Sequence, residues 1–121
     1  MLPANNDREK IRQDLIQRVG PWAFQSYSKD RWINVSDVEL ISGALLKAMP
    51  EDRYLLLKLY DIEAIRKVWD RYVVIQDDWF HPSNVWAARH IFKAQDPEKF
   101  VKDQLRKSRK IHNSGGPGVD I

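Results

Sequence analysis

The sequence predicts an all-α protein, folded as a compact bundle or orthogonal array of about five to six short helices. Three observations predict this fold class. Apolar residues recur at three- and four-residue spacing along successive segments. Capping residues or prolines stand where these segments begin, and the connections between them are short. One short run, residues 32–35, resembles a strand but has no second strand with which to pair.

Length and composition predict a single helical domain over residues 1–112, followed by a flexible tail at 113–121. Of the 121 residues, 43% are hydrophobic and 31% are charged, which is typical of a globular protein. No cysteine is present, so disulfides, thiolate metal sites and cysteine nucleophiles are excluded. No apolar run approaches the roughly 20 residues of a membrane span, and the first residues lack a signal-peptide pattern. We therefore expect a cytoplasmic protein with no membrane partner.

The first helix is predicted to begin at Asp7, whose side chain can cap it, and to end at Gly20-Pro21. Its apolar side chains fall on one stripe, which consists of Ile11, Leu15 and Val19. Residues 22–35 are irregular and rich in aromatic residues. We interpret them as a loop whose aromatic side chains fill the core, namely Trp22, Phe24, Tyr27 and Trp32.

Two further helix starts follow this loop. Ser36 and Glu39 form a capping box, in which each side chain satisfies a backbone amide of the other residue. The helix that they open is predicted to bury Val38, Ile41, Leu45 and Ala48. Pro50 suits the first turn of the next helix, because its missing amide hydrogen would be unpaired there. Residues 54–60 continue it with apolar side chains nearly all round, which predicts the most buried helix of the domain.

Two more helices are predicted in the second half. Asp61 caps the first, which is expected to fray over residues 73–78. Its inward side chains are predicted to be Ile62, Ile65, Val68, Trp69 and Tyr72. Pro82 is predicted to open the next helix. That helix carries the apolar residues Val85, Ala88, Ile91 and Phe92.

The last predicted helix carries the basic excess of the chain. The pair Asp96-Pro97 signals its start, and we place it at about residues 97–112. Residues 99–112 hold six Lys and Arg against one Asp, whereas residues 1–98 hold 14 Lys and Arg against 15 Asp and Glu. The six cations are Lys99, Lys102, Arg106, Lys107, Arg109 and Lys110. The apolar stripe of this helix is thin and consists of Val101, Leu105 and Ile111.

A basic helix of this kind has four interpretations. It can dock on an acidic protein, follow the phosphates of a nucleic acid, or lie on an anionic membrane. It can also be a solvated terminal helix whose cations favourably face the negative end of the helix dipole. The thin apolar stripe makes the membrane the least favoured partner. A protein partner and a nucleic acid remain open beside the solvated helix.

The aromatic residues admit two readings as well. Trp69, Tyr72 and Trp86 fall on helical apolar stripes, so we expect them to pack in the core and not to stack on bases. The pair Trp79-Phe80 follows two acids at a helix junction. It is either a hydrophobic staple, which we favour, or an exposed anchor for a partner.

The sequence offers little to catalysis. It has no nucleophile-elbow motif and no phosphate-binding glycine loop. Asp77, Asp78 and His81 could in principle supply three metal ligands, but their position before Pro82 is typical of helix caps. His90, four residues after Trp86, is expected to stack or to face solvent. We therefore predict no enzyme, no metal and no cofactor. A metal-dependent hydrolase would require the three side chains at 77, 78 and 81 to converge.

A pattern of mostly core residues runs from about residue 33 to residue 92. It consists of Leu45, Leu57, Leu59-Tyr60, Ile62-Glu63, Ile65, Val68, Asn84-Val85-Trp86 and Phe92. These residues resemble a small helical family of uncharacterised bacterial proteins, often found beside abortive-infection-type nucleotidyltransferase toxins. Three features depart from that family: Val85 replaces a usual aromatic residue, the segment 77–81 differs, and the basic helix lies outside the resemblance.

The resemblance implies an antitoxin or accessory role, through genomic neighbourhood, and it transfers no catalytic residue. Together with the basic helix, it leads to a predicted function as a bacterial, non-catalytic protein that acts by stoichiometric binding of a protein partner, such as a toxin. The contact surface is predicted on the six cations of the last helix, with Trp79-Phe80 as a second candidate. The alternative is a nucleic-acid-binding module without sequence specificity that uses the same helix.

Overall fold

The computed structural model describes residues 5–114 of the chain, and the side chains of residues 7–111. Its regular structure is helical, with no strand within residues 5–114, which confirms the predicted compact all-α fold. The helices are α1 (Asn5–Ala23), α2 (Lys29–Trp32), α3 (Asp37–Lys47), α4 (Pro50–Arg53), α5 (Leu56–Leu59), α6 (Ile62–Val68), α7 (Asp77–His90) and α8 (Pro97–Ser114). Of the predicted tail, residues 113 and 114 belong to α8, and residues 115–121 lie outside the described part.

The first helix continues through Gly20-Pro21, so the predicted end at this pair is wrong. The amide of Phe24 donates to the carbonyl of Gly20 at 2.8 Å, which carries the helical pattern past Pro21. Gly20 is needed here for close packing, because the ring of Trp32 lies against its Cα. The predicted stripe is confirmed: Leu15 and Val19 are buried, and Ile11 packs against the core.

Residues 22–35 contain the short helix α2 as well as loops. Phe24 and Trp32 are buried as predicted, and the indole N–H of Trp32 donates to the carbonyl of Phe24 at 3.0 Å. Tyr27 is half-buried and stacks on Phe24. Trp22 was expected in the core but has 55% of its surface exposed, because it lies on the outer side of the last turn of α1.

The capping box at the start of α3 is confirmed. The Ser36 hydroxyl accepts from the Glu39 amide at 3.1 Å, and the Glu39 carboxylate accepts from the Ser36 amide at 2.9 Å. The Tyr27 hydroxyl and the Arg31 guanidinium also donate to the carboxylate of Glu39. The Ser36 amide and the other donors together lower the pKa of Glu39 to about 2. Of the predicted inner face, Ile41, Leu45 and Ala48 are buried, whereas Val38, in the first turn, is exposed.

Replacing Glu39 with glutamine is expected to lower the free energy of unfolding by about 2 kcal/mol near neutral pH. Because folding lowers this pKa, the ionised side chain stabilises the protein above its ordinary value of 4.5, and that stabilisation is lost as the pH falls towards about 2. The free energies of unfolding of the wild type and Glu39→Gln are measured in urea from neutral pH down towards pH 2. The difference between them should become smaller as the pH falls. Glu63→Gln, an exposed site in the first turn of α6, is the matched control. A difference that does not depend on pH would contradict the ionic explanation.

Residues 50–60 do not form the single, most buried helix that was predicted. Pro50 opens α4 as expected, but α4 and α5 are one-turn helices. Amides between them bond three residues back, as from Leu57 to the Tyr54 carbonyl at 3.1 Å, so no continuous α-helix forms. Leu56 and Leu59 are buried, whereas Tyr54 is 42% exposed.

The chain is nearly continuously helical from residue 62 to residue 90, so the predicted fraying at 73–78 is wrong. Asp61 caps α6 as predicted, accepting from the Ala64 amide at 2.8 Å. After α6 comes a π-helical turn, Trp69–Val73, and a 3₁₀ turn, Val74–Gln76, which leads directly into α7. Val73 and Val74 are buried in the core, which explains why this segment stays ordered in helical form.

Three predictions for residues 62–90 are corrected by the structure. Helix α7 begins at Asp77 and not at Pro82, although its backbone leaves the helical region at Phe80 (φ −132°, ψ 29°). This kink precedes Pro82, which cannot donate an amide hydrogen and crowds the preceding turn. Tyr72 was expected to point inward but is 41% exposed, because the wider π turn changes the register of the side chains. Ile62, in the first turn of α6, is also exposed.

The last helix is anchored on the core around Trp69, which is fully buried. Phe100 of α8 stacks on Trp69 and on Phe92, with ring centroids 5.7 and 6.0 Å apart. The Arg66 guanidinium covers this cluster and donates to the Gln104 side chain at 2.9 Å. The predicted start of α8 at Asp96-Pro97 is confirmed. Along its predicted stripe, Val101 is buried and Leu105 is half-buried, but Ile111 is 68% exposed.

Candidate binding surface on the last helix

The six cations of α8 all lie on its exposed side, and we call them the basic face. Five of them, Lys99, Lys102, Arg106, Arg109 and Lys110, follow one another at helical spacing and form a single stripe. Lys107 lies to one side of this stripe. The opposite side of α8 is fixed to the fold by Val101, by the Phe100 cluster and by the Ser108 hydroxyl, which donates to the Asp70 carbonyl at 2.6 Å. The helix thus presents its charges from a rigid support.

The cations of the basic face differ in their local partners. Lys99 forms an ion pair with Asp103 at 2.6 Å, and Arg109 contacts Asp78 of α7 at 3.5 Å. The hydrogen bond from Lys99 lowers the pKa of Asp103, and the neighbouring Arg106 and Lys107 act in the same direction. Among residues 7–111, no hydrogen bond or ion pair holds Lys102, Arg106 or Lys107. These three are the cations most available to an outside anion.

Trp79 is the most exposed large hydrophobic residue in the described part of the chain, with 85% of its surface accessible. The staple interpretation is therefore wrong for Trp79. Phe80, its neighbour at the kink of α7, is half-buried and lines a groove of about 340 Å³ beside Phe24, Tyr27 and Leu46. Trp79 directly follows Asp78, whose carboxylate contacts Arg109. Trp79 is thus one residue along the chain from a carboxylate that contacts the C-terminal half of the basic face.

The other aromatic residues divide between core and surface. Trp69 is buried as predicted, and its indole N–H donates to the Asn84 side chain at 3.0 Å. Trp86 is half-buried and packs with Tyr54 and His90 at centroid distances of 5.2 and 5.1 Å. His90 was expected to stack or to face solvent, and it contacts these two rings in tilted and edge-on arrangements. The Arg53 guanidinium lies 5.0 Å from the centre of the Trp86 ring and is mostly buried.

A polar network joins the start of α7 to the start of α8. His81 contacts Asp77 through Nδ1 at 3.0 Å and Glu98 through Nε2 at 2.8 Å. The buried Asn84 amide donates to Asp77 at 3.0 Å. The bond to Asp77, and secondly that to Glu98, raises the pKa of His81 above its ordinary value.

Sequence reasoning missed the parts played by Asn84 and Glu98. The spacing of Asp77, His81 and Asn84, four and then three residues apart on one helix, could have indicated their shared face. Glu98 lies 17 residues from His81, and its approach depends on how α8 packs. No local signal in the sequence indicates that approach.

The three side chains proposed as metal ligands do not converge. Asp77 and His81 meet, but Asp78 has a side chain 81% exposed and turns towards Arg109. Within the described residues, no three His, Asp or Glu side chains are grouped so that they could hold a metal ion. The requirement set for a metal-dependent hydrolase at this position is therefore not met. Among the described helices, none is both long enough and apolar enough to cross a membrane.

The fold and its surface define a class: an all-α domain that presents a basic helix anchored on the core and, elsewhere on the described surface, an exposed tryptophan. The chain matches no family model, and no curated protein or solved structure is significantly similar to it. The resemblance to the bacterial helical family therefore stays a prediction.

Proposed function

We propose that the chain is a non-catalytic binding protein whose basic face docks on an acidic surface of a partner protein. In the antitoxin or accessory role that the resemblance implies, it acts in the bacterial cytoplasm by stoichiometric binding that masks an active surface of the partner, such as a toxin. The observation that carries this proposal is the stripe of exposed cations on α8, whose other side is held by the core.

The rigidity of α8 supports a binding role. A helix that is already ordered and anchored loses little conformational entropy when a partner docks on it. Its exposed cations attract an acidic partner over a distance and speed association. Lys102, Arg106 and Lys107, which no ion pair holds within the described residues, would keep their charge available for that encounter.

One feature of the exposed surface favours a protein over a nucleic acid. Trp79 offers a large apolar side chain of the type that dominates the energetics of protein interfaces. A nucleic-acid-binding module remains the alternative, since its phosphates would use the same cations.

Reversing three charges of the basic face is expected to abolish partner binding. In the variant Lys102→Glu, Arg106→Glu, Lys107→Glu, we expect affinity to fall about 100-fold or more, because like charges would then face the acidic partner. Purified, tagged wild type and variant are compared by pull-down from lysate of the source organism, once without and once with nuclease treatment. The affinity of the recovered protein is then measured with purified components.

The matched control is Lys10→Glu, Lys58→Glu, Lys67→Glu, which makes the same change in net charge on exposed lysines outside α8. We expect one partner protein to co-purify in near-equal amount with the wild type and with the control variant. We expect this partner to be lost with the basic-face variant. Retention by the basic-face variant would refute the assignment of the surface. Recovery of nuclease-sensitive nucleic acid, with affinity falling steeply as salt rises, would instead establish the alternative.

A further inference from the structure

His81 bridges two helices through both of its ring nitrogens. Nδ1 faces the Asp77 carboxylate of α7, and Nε2 faces the Glu98 carboxylate in the first turn of α8. An imidazole can donate from both nitrogens only when it is protonated, and the neutral ring donates from one. The bridge as observed, with a carboxylate on each side, therefore requires the imidazolium form.

The charge of His81 decides the net charge of the group of side chains around it. His81 lines a cavity of about 610 Å³ between α7 and α8. The charged side chains that line this cavity come from α7, from α8 and from the loop that connects them. These are Asp77 from α7, Asp96 from the connecting loop, and Glu98, Lys99 and Lys102 from α8. Without the imidazolium, the three carboxylates outnumber the two ammonium groups. Loss of the proton therefore leaves a net negative cluster.

The two carboxylates are not held equally. Asp77 has a side chain 16% exposed and accepts a further hydrogen bond from Asn84, which is itself tied to the buried Trp69. Glu98 has a side chain 67% exposed, and its contact with His81 is its link to α7. When His81 loses a proton, the remaining N–H stays with the fixed Asp77, and Glu98 loses its partner.

We propose that His81 is a proton-operated clasp that holds the first turns of α8 against α7 when protonated and releases Glu98 when neutral. The clasp acts on the start of the helix, beside the Phe100 ring contacts, since Gln104 and Ser108 hold its middle independently. If the basic face binds an acidic partner as proposed above, Glu98 released beside Lys99 and Lys102 weakens that binding as the pH rises. This consequence rests on the proposed function, whereas the clasp itself does not.

The clasp is tested on the free protein, without any partner. NMR titration follows the ring protons of His81. Hydrogen exchange of the amides of residues 100–105, corrected for intrinsic rates, is measured from about pH 6 to about pH 8.5. We expect protection there to fall by roughly 3- to 10-fold, with the midpoint at which His81 titrates.

Two variants separate the clasp from a general effect of pH. Glu98→Gln removes one carboxylate at an exposed position that the core does not need, and His81→Gln removes the proton. Both should abolish the pH dependence of protection in residues 100–105, and His90→Gln should retain it. Persistence of the pH dependence in Glu98→Gln would overturn the proposal, and so would a wild type whose protection does not change through the His81 titration. Failure of the pull-down would leave these readouts unaffected.

Discussion

Replacing Asn84 with aspartate is expected to lower the free energy of unfolding by about 3 kcal/mol near neutral pH. Asn84 is fully buried between two polar side chains. Its amide oxygen accepts from the Trp69 indole, and its amide nitrogen donates to Asp77, both at 3.0 Å. Aspartate has almost the same shape and can still accept from Trp69. It replaces the donor by a buried carboxylate directly against the half-buried carboxylate of Asp77.

The pH dependence of this loss identifies its cause. Two carboxylates in contact raise the pKa of the pair on folding, so the loss is complete above the raised value. It shrinks as the pH falls, because one proton then restores a donor between the two side chains. Chemical unfolding of the wild type and Asn84→Asp from about pH 7.5 to about pH 4.5 should therefore show converging stabilities. Asn34→Asp, at an exposed position, is the matched control and should change stability by less than about 0.5 kcal/mol. A small loss at Asn84, similar to the control, would contradict the buried network.

Gly20→Ala is expected to destabilise the protein by about 3 kcal/mol, although alanine is the better helix former. A Cβ at position 20 would lie closer than 3.0 Å to three atoms of the Trp32 ring. That ring is buried, and its N–H bond to the Phe24 carbonyl ties it to the end of α1. The ring cannot withdraw without breaking this bond and opening space in the core, so the steric cost exceeds the gain in helix propensity.

Gly43→Ala is the control for Gly20, because Gly43 is also a glycine within a helix. Its added Cβ would meet the Ala23 methyl group at 3.0 Å, a contact that a small shift relieves. We expect its stability to stay within about 1 kcal/mol of wild type, since the gain in helix propensity offsets the contact. Thermal unfolding followed by circular dichroism measures both variants. Equal melting temperatures for Gly20→Ala and the wild type would show that Trp32 does not need this glycine.

Much of the secondary structure could be predicted because helix starts depend on neighbouring residues. The capping box of Ser36 and Glu39, the cap at Asp61 and the start at Asp96-Pro97 are local arrangements, and each is confirmed. The basic character of α8 is also a property of a continuous segment. The exposure of the cations on α8 could be predicted because the apolar stripe of this helix is thin.

Where helices end or join was less predictable. The π turn at Trp69–Val73 carries the chain from α6 towards α7, and α1 passes through Pro21. At Pro21, a helix-breaking residue is outweighed by the packing of the buried Trp32 against the end of α1. At the π turn, the loss of regular apolar spacing is outweighed by the burial of Val73 and Val74. Sequence periodicity cannot weigh that burial, because it depends on which elements pack together.

The features of the candidate site also fall into two groups, those predicted from the sequence and those decided by packing. The sequence by itself determined the all-α class, the main helix starts and the six cations on one helix, because these depend on spacing along the chain. The tertiary structure decided that Trp79 is exposed, that Asp78 turns to Arg109 and that His81 reaches Glu98. Those contacts join residues far apart in sequence. They exist only because packing around Trp69 brings α8 back along α7.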